Sequence, residues 1–209
     1  MEPFKRVTGN AAPMERVNVD TDSIVPARFL RRIERTGWGE ALFNDWRYLA
    51  NGDANPAFVL NQPGYEDTKI LIAGRNFGTG SSREHAVWAL AQYGIRAIVA
   101  SSFADIFHKN CFENGLVPVI VPEDQVQRLM RAAKEGPGCQ LTVDLELCEV
   151  WDDRGFRAPF VIHDDPGTHE FRRECLLEGM DEIALTLTLA DEIERFENER
   201  PKYLDPVRV

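Results

Sequence analysis

The sequence predicts an α/β fold, on three observations. An apolar run at residues 69–73 passes through a glycine-rich stretch into a helical periodicity, the order of a strand–turn–helix unit. Strand-like and helix-like segments then alternate again over residues 96–134. After them, Leu141, Val143, Leu145 and Leu147 recur with period two. That period predicts a strand with one buried face, and so extra β structure on a layered α/β core.

Taken in order, residues 17–26 read as a strand edge followed by an Asx- and Thr-rich turn. A basic stretch at residues 28–35 ends at Thr36-Gly37-Trp38-Gly39, and residues 41–48 suit a short helix. Residues 50–68, rich in Asn, Gly, Pro and Asp, read as a loop of functional length. Beyond the strand at 69–73, Ala86, Ala89, Leu90 and Tyr93 mark a helix that Gly94 can end. Residues 96–100 predict a strand and 103–114 a helix stopped by Gly115. Pro118 inside the next strand, 117–121, argues for an edge strand or a first strand position. Residues 123–134 form an amphipathic helix, and 156–162 are expected to pair with the period-two strand across the turn at 152–155. Helices at 168–178 and 189–199 follow, the second ending at Pro201. The whole reads as one domain over residues 1–209, with a C-terminal helical extension from about residue 167.

Composition narrows the function. The 209 residues are 44% hydrophobic and 28% charged, as in ordinary globular proteins. A formal net charge of −10 argues against nucleic acid as a partner, though a small anion can still meet local cations. No apolar run approaches the ~20 residues of a membrane span. Cys111, Cys139, Cys148 and Cys175 are scattered, and the polar start reads as mature protein. The expectation is reduced thiols, a cytoplasmic location and no metal held by this chain.

The segment Gly74-Arg75-Asn76-Phe77-Gly78-Thr79-Gly80-Ser81-Ser82-Arg83-Glu84-His85 carries the most chemistry. A glycine-rich turn feeding a helix offers unpaired N–H groups and the positive end of the helix dipole. Arg83 adds a planar fork for a carboxylate or phosphate. A P-loop would need Gly-Lys here, and a dinucleotide fingerprint a small residue in place of Arg83. Ser81 with Glu84 also reads as a capping box. Capping needs neither the second serine nor the arginine, so structural and chemical roles stand together. His85 is a general base, a ligand or a packed histidine; His108, His163 and His169 read as surface or structural. Asp20 and Asp22 read as turn caps or as a metal or acid–base pair. The arginines of residues 28–35, interleaved with Phe29 and Leu30, form a solvated face or a pocket for a carboxylate with an apolar arm.

Residues 78–85, Gly-x-Gly-Ser-Ser-Arg-Glu-His, resemble the signature of the swivelling domain of the aconitase superfamily. Further landmarks are Asn18-Val19-Asp20-Thr21-Asp22, Pro26-Ala27-Arg28-Phe29-Leu30 and Phe43-Asn44-Asp45-Trp46-Arg47-Tyr48. With Met1-Glu2-Pro3-Phe4, Ser102-Phe103-Ala104-Asp105-Ile106-Phe107, Asn110-Cys111-Phe112-Glu113-Asn114-Gly115-Leu116 and Leu176-Leu177-Glu178-Gly179-Met180-Asp181-Glu182-Ile183, they extend the resemblance to the small subunits of bacterial 3-isopropylmalate dehydratase almost end to end. The resemblance implies a three-layer β/β/α swivelling domain. It also implies a hydro-lyase of leucine biosynthesis, active only with a separate large subunit in a heterodimer or heterotetramer. The partner would hold a [4Fe–4S] cluster whose iron acts as a Lewis acid toward the leaving hydroxide. The reaction would interconvert 2- and 3-isopropylmalate through 2-isopropylmaleate. Ser81 matches the catalytic serine, whose alkoxide removes a proton beside a carboxylate. Ser82 and Arg83 match groups that hold substrate carboxylates, and Arg31, with Phe29 and Leu30 for the apolar arm, falls in the specificity stretch. The alternatives are a small subunit acting on a related diacid, citraconate or dimethylmaleate, and a non-catalytic anion-binding module.

Overall fold

The computed structural model describes residues 1–200; Pro201 and the rest of the expected C-terminal extension lie outside the described residues. The first strand, β1 (Arg6–Met14), is followed by two one-turn helices, α1 (Thr21–Ile24) and α2 (Asn44–Arg47). Strands β2 (Thr68–Ala73), β3 (Ala97–Ala100) and β4 (Val117–Ile120) then alternate with helices α3 (Glu84–Tyr93), α4 (Asp105–Glu113) and α5 (Glu123–Glu135). A meander of β5 (Gln140–Asp144), β6 (Glu149–Asp152) and β7 (Arg157–Pro159) precedes α6 (Pro166–Glu178), α7 (Glu182–Leu187) and α8 (Ala190–Glu199).

One seven-stranded sheet runs in the order β4-β3-β2-β1-β5-β6-β7. The pairs from β1 to β4 are parallel and those from β1 through β5 to β7 antiparallel. The sheet curls until its edges meet: Ile120 and Val161 exchange N–H···O bonds of 2.8 and 3.2 Å. Pro118 on β4 has no N–H to extend that seam.

The period-two geometry of strands sorts the core onto two faces. Leu71, Ala73, Ile98 and Ala100 face one cluster with Ala86 and Leu90 of α3 and with Trp38, Leu42 and Phe43. Ile70, Ile72, Ala97 and Val99 face the other, with Leu129 and Met130 of α5, Val143, Val150 and Leu176. Helix α3 thus covers one face, while β5–β7 curl back over the other as the second β layer.

Several expectations are corrected. Residues 17–19 form no strand; the strand lies earlier, as β1, where exposed Arg6 and Thr8 interrupt the apolar pattern that its buried second half, residues 11–14, carries. The period-two strand, β5, does not leave one face in solvent: Asp144 is buried against Arg6 Nε at 2.6 Å, and Thr142 Oγ1 lies 2.8 Å from Thr8 Oγ1. Leu147 lies exposed beyond it. Across residues 153–156, β7 pairs with β6, a strand the sequence does not announce, and β6 rather than β7 lies beside β5. The expected helix at 41–48 splits into a 3-10 turn (Trp38–Ala41) and α2, with Phe43 in the left-handed region between them. Helix α7 is an addition to the expected elements.

Candidate functional site

Residues 74–83 join β2 to α3 at the carboxyl ends of the parallel strands, the usual ligand position in such sheets. The ends of two neighbouring strands hold this loop. After β1, Val19 O accepts from Gly78 N (2.7 Å) and Thr79 N (3.1 Å), and Thr21 N donates to Thr79 O (2.9 Å). After β3, Ser102 O and Oγ accept from Phe77 N (3.2 Å) and Asn76 N (2.9 Å). Gly78 is needed for two reasons: φ is +82°, and an added Cβ would lie 2.1 Å from Phe107 Cγ on α4.

The capping box does not form. Arg83, not Ser81, is the N-cap of α3, and no side chain caps the helix. Glu84 Oε1 instead accepts from Asn114 Nδ2 (3.1 Å) and Trp88 Nε1 (3.3 Å). The helix starts later than the Ser-x-x-Glu spacing suggests because the glycine turn is pinned to Val19 and Thr21. Ser81 and Ser82 therefore stand exposed, their hydroxyls without a partner among the described residues.

Arg83 is 14% exposed and forks onto Asp22, with Nη2 2.8 Å from Oδ2 and Nη1 on Oδ1, and Nη1 also reaches Val25 O at 3.3 Å. A guanidinium has five N–H donors, so these three bonds leave two for an anion. Asp22, 55% exposed, is thus an orienting carboxylate that the turn reading missed; nothing in local spacing signals a pair across the fold. Asp20 is the true cap, its Oδ1 accepting from Ser23 N at 2.5 Å. His85 packs between Trp38 (4.6 Å) and Trp88 (4.8 Å), and burial pushes its pKa down. His108 Nε2 meets Ile162 O at 2.7 Å and His169 Nδ1 accepts from Ile162 N at 3.1 Å, so both serve the backbone.

The arginine stretch forms a 3-10 turn (Ala27–Arg31) directly after the segment that Arg83 touches. Arg28 and Arg32 flank the Phe29 ring at 4.8 and 5.2 Å, and Arg28 is held by Asn44 Oδ1 at 2.7 Å. Phe29 and Leu30 lie half-buried on the core. Arg31 is exposed, without a hydrogen bond or ion pair among the described residues. No bond joins Phe29, Leu30 or Arg31 to residues 81–83. Ile33, not singled out by the sequence, is the segment's exposed apolar side chain at 95%.

The described residues do not fit a cluster. Among the described residues no three His, Cys, Asp or Glu side chains converge on a metal position. Cys111, Cys139 and Cys175 are buried free thiols, and burial pushes all four thiols up, away from the thiolate a metal needs. No described helix is long and apolar enough to cross a membrane.

Such a loop on such a sheet is a known architecture. The model of the aconitase C-terminal domain matches residues 1–124, and one described as LeuD_N matches residues 127–164. The chain belongs to the aconitase C-terminal domain family. Within it, the 3-isopropylmalate dehydratase small subunit of Bacillus subtilis is 53% identical over 204 residues, covering 98% of this chain and 99% of that one. That of Cereibacter sphaeroides is 49% identical over 199 residues, covering 95% and 96%. The chain is therefore a member of the 3-isopropylmalate dehydratase small-subunit family. A solved 3-isopropylmalate dehydratase chain from Methanocaldococcus jannaschii shares the fold, with a TM-score of 0.64 at 24% identity over 92% of this chain and 99% of that one.

Proposed function

We propose that this chain supplies the proton-transfer half of a 3-isopropylmalate dehydratase, isomerising 2- and 3-isopropylmalate through 2-isopropylmaleate together with a large subunit. One observation carries the reading: an exposed serine that caps nothing sits beside an arginine oriented by Asp22 with donors to spare.

Ser81 Oγ, as alkoxide, takes the proton from the carbon beside a substrate carboxylate. The electron pair moves onto that carboxylate, where Arg83 and the Ser82 hydroxyl meet the growing charge. The free N–H groups opening α3 and its dipole favour the charged serine oxygen. Loss of the hydroxyl gives the unsaturated diacid, and water returns with H and OH exchanged. A [4Fe–4S] cluster, held by the large subunit, would supply Lewis-acid help to that hydroxyl. Arg31 takes the distal carboxylate, with Phe29 and Leu30 beside the isopropyl arm. The small-subunit names of the relatives support a heteromeric assembly, and a cytoplasmic setting suits reduced, buried thiols.

The test is co-purification with the large subunit and an anaerobic assay on isopropylmalate and citraconate. Ser81→Ala should lower kcat roughly 10²–10⁴-fold with the two chains still co-eluting. Near-normal kcat would remove Ser81 from the chemistry, and preference for citraconate would reassign the substrate.

A further inference from the structure

We propose that Thr21 is a positioning residue for Ser81, its buried hydroxyl setting the direction of the peptide that carries the catalytic oxygen. The proposal rests on reading Ser81 as the proton acceptor. Thr21 is 2% exposed, and its Oγ1 donates to Ser81 O at 2.7 Å across 60 residues of sequence. Its own N–H donates to Thr79 O at 2.9 Å, so one residue grips the turn on both sides of Gly80. Gly80 has φ +93°, and a Cβ there would lie 3.4 Å from Asp20 Cβ and 3.6 Å from Thr21 Oγ1. The turn therefore rests directly on this threonine.

Among the described residues no other hydrogen bond reaches Ser81. Its hydroxyl has no partner among the described residues, and neither has the Ser82 N–H. A trans peptide is planar, with C=O and N–H pointing opposite ways. Drawing Ser81 O inward to Thr21 aims the Ser82 N–H the opposite way, outward from this threonine. Threonine suits this position because its β-branch restricts χ1, and its place in the first turn of α1 is secured by the Asp20 cap. Valine keeps this shape without the donor, while serine keeps the donor.

The experiment places Thr21→Val, Thr21→Ser and Ser81→Ala in the co-purified two-subunit enzyme. Thr21→Val should lower kcat roughly 10–100-fold, the cost of a small misplacement of a reacting group, with KM within about two-fold. Thr21→Ser should stay within about three-fold of the parent in kcat. A Thr21→Val enzyme of near-normal kcat, or a serine variant as impaired as the valine one, overturns the proposal. So does a loss confined to KM. If Thr21→Val fails to assemble, Thr21→Ala against Thr21→Ser asks the same question: serine above alanine supports the role, and equal loss overturns it. An inactive Ser81→Ala with a normal Thr21→Val defeats the positioning role alone. An active Ser81→Ala defeats the proton-acceptor reading and the positioning role with it.

Discussion

Residues 74–83 and residues 27–35 both supply side chains proposed to meet substrate, yet the first is bonded to the ends of two neighbouring strands and the second mainly at its own margins. In the loop, the backbone is bonded to Val19, Thr21 and Ser102, while the serine hydroxyls have no partner among the described residues. In the arginine turn, Arg28 is tied to Asn44, and the carbonyls of Glu34 and Arg35 accept from Trp38 Nε1 (2.8 Å) and Gln92 Nε2 (2.7 Å). Between those ties Arg31 and Ile33 face outward. The difference separates two roles. Chemistry at a fixed atom needs a group held before substrate arrives, whereas recognition of a branched arm gains from side chains that settle against it.

That contrast can be broken most directly at Gly78. Gly78→Ala meets both a positive φ and the Phe107 ring, so it should cost about 3 kcal/mol or more and lower the melting temperature clearly. Adding Phe107→Ala should relieve the clash but not the backbone strain; an unchanged melting temperature for Gly78→Ala alone would show a loop free to move away from α4. Next in size, Arg83→Lys should lower kcat/KM by roughly 10–100-fold, because an ammonium cannot hold the Asp22 fork and still offer a planar pair of donors. A kinetic assay with less than two-fold change would deny the orienting role of Asp22.

The arginine turn should respond more weakly. Arg31→Ala and Ile33→Ala should each raise KM for isopropylmalate by about three- to ten-fold, with kcat nearly kept and thermal stability within about 0.5 kcal/mol. A large fall in kcat would place this segment with the chemistry instead. Acidification gives the smallest contrast. Burial lowers the pKa of His85 behind the loop, and of His108 and His169, below 6.5. Folded values below the unfolded one mean that the neutral histidines stabilise above about pH 6.5 and that this stability is lost as pH falls through the lower folded values. Melting temperature should therefore decline from about pH 7 to about pH 5, whereas the arginine turn carries no histidine. A flat profile would show that these histidines do not differ between the folded and unfolded chain.

Much of this fold was legible where local rules apply. The alternation from β2 to α5 followed apolar periodicity, Gly94 and Gly115 marked helix ends, and Pro118 marked an edge strand. Legibility failed where burial comes from elsewhere. β1 carries Arg6, Thr8 and Asn10, yet it lies centrally, because β5 and β2 cover its edges and Asp144 and Thr142 satisfy its polar groups. The Ser81–Glu84 spacing suggested a cap, but a turn pinned to Val19 and Thr21 moved the helix start to Arg83.

By itself the sequence determined that a strand, a glycine turn and a helix would present two serines and an arginine, since turn chemistry and helical period are local. Only the tertiary structure decided that Asp22 would aim Arg83 and Thr21 would hold Ser81. Those bonds span 61 and 60 residues, and no periodicity along a chain encodes which distant donor a curled sheet will bring beneath a carbonyl.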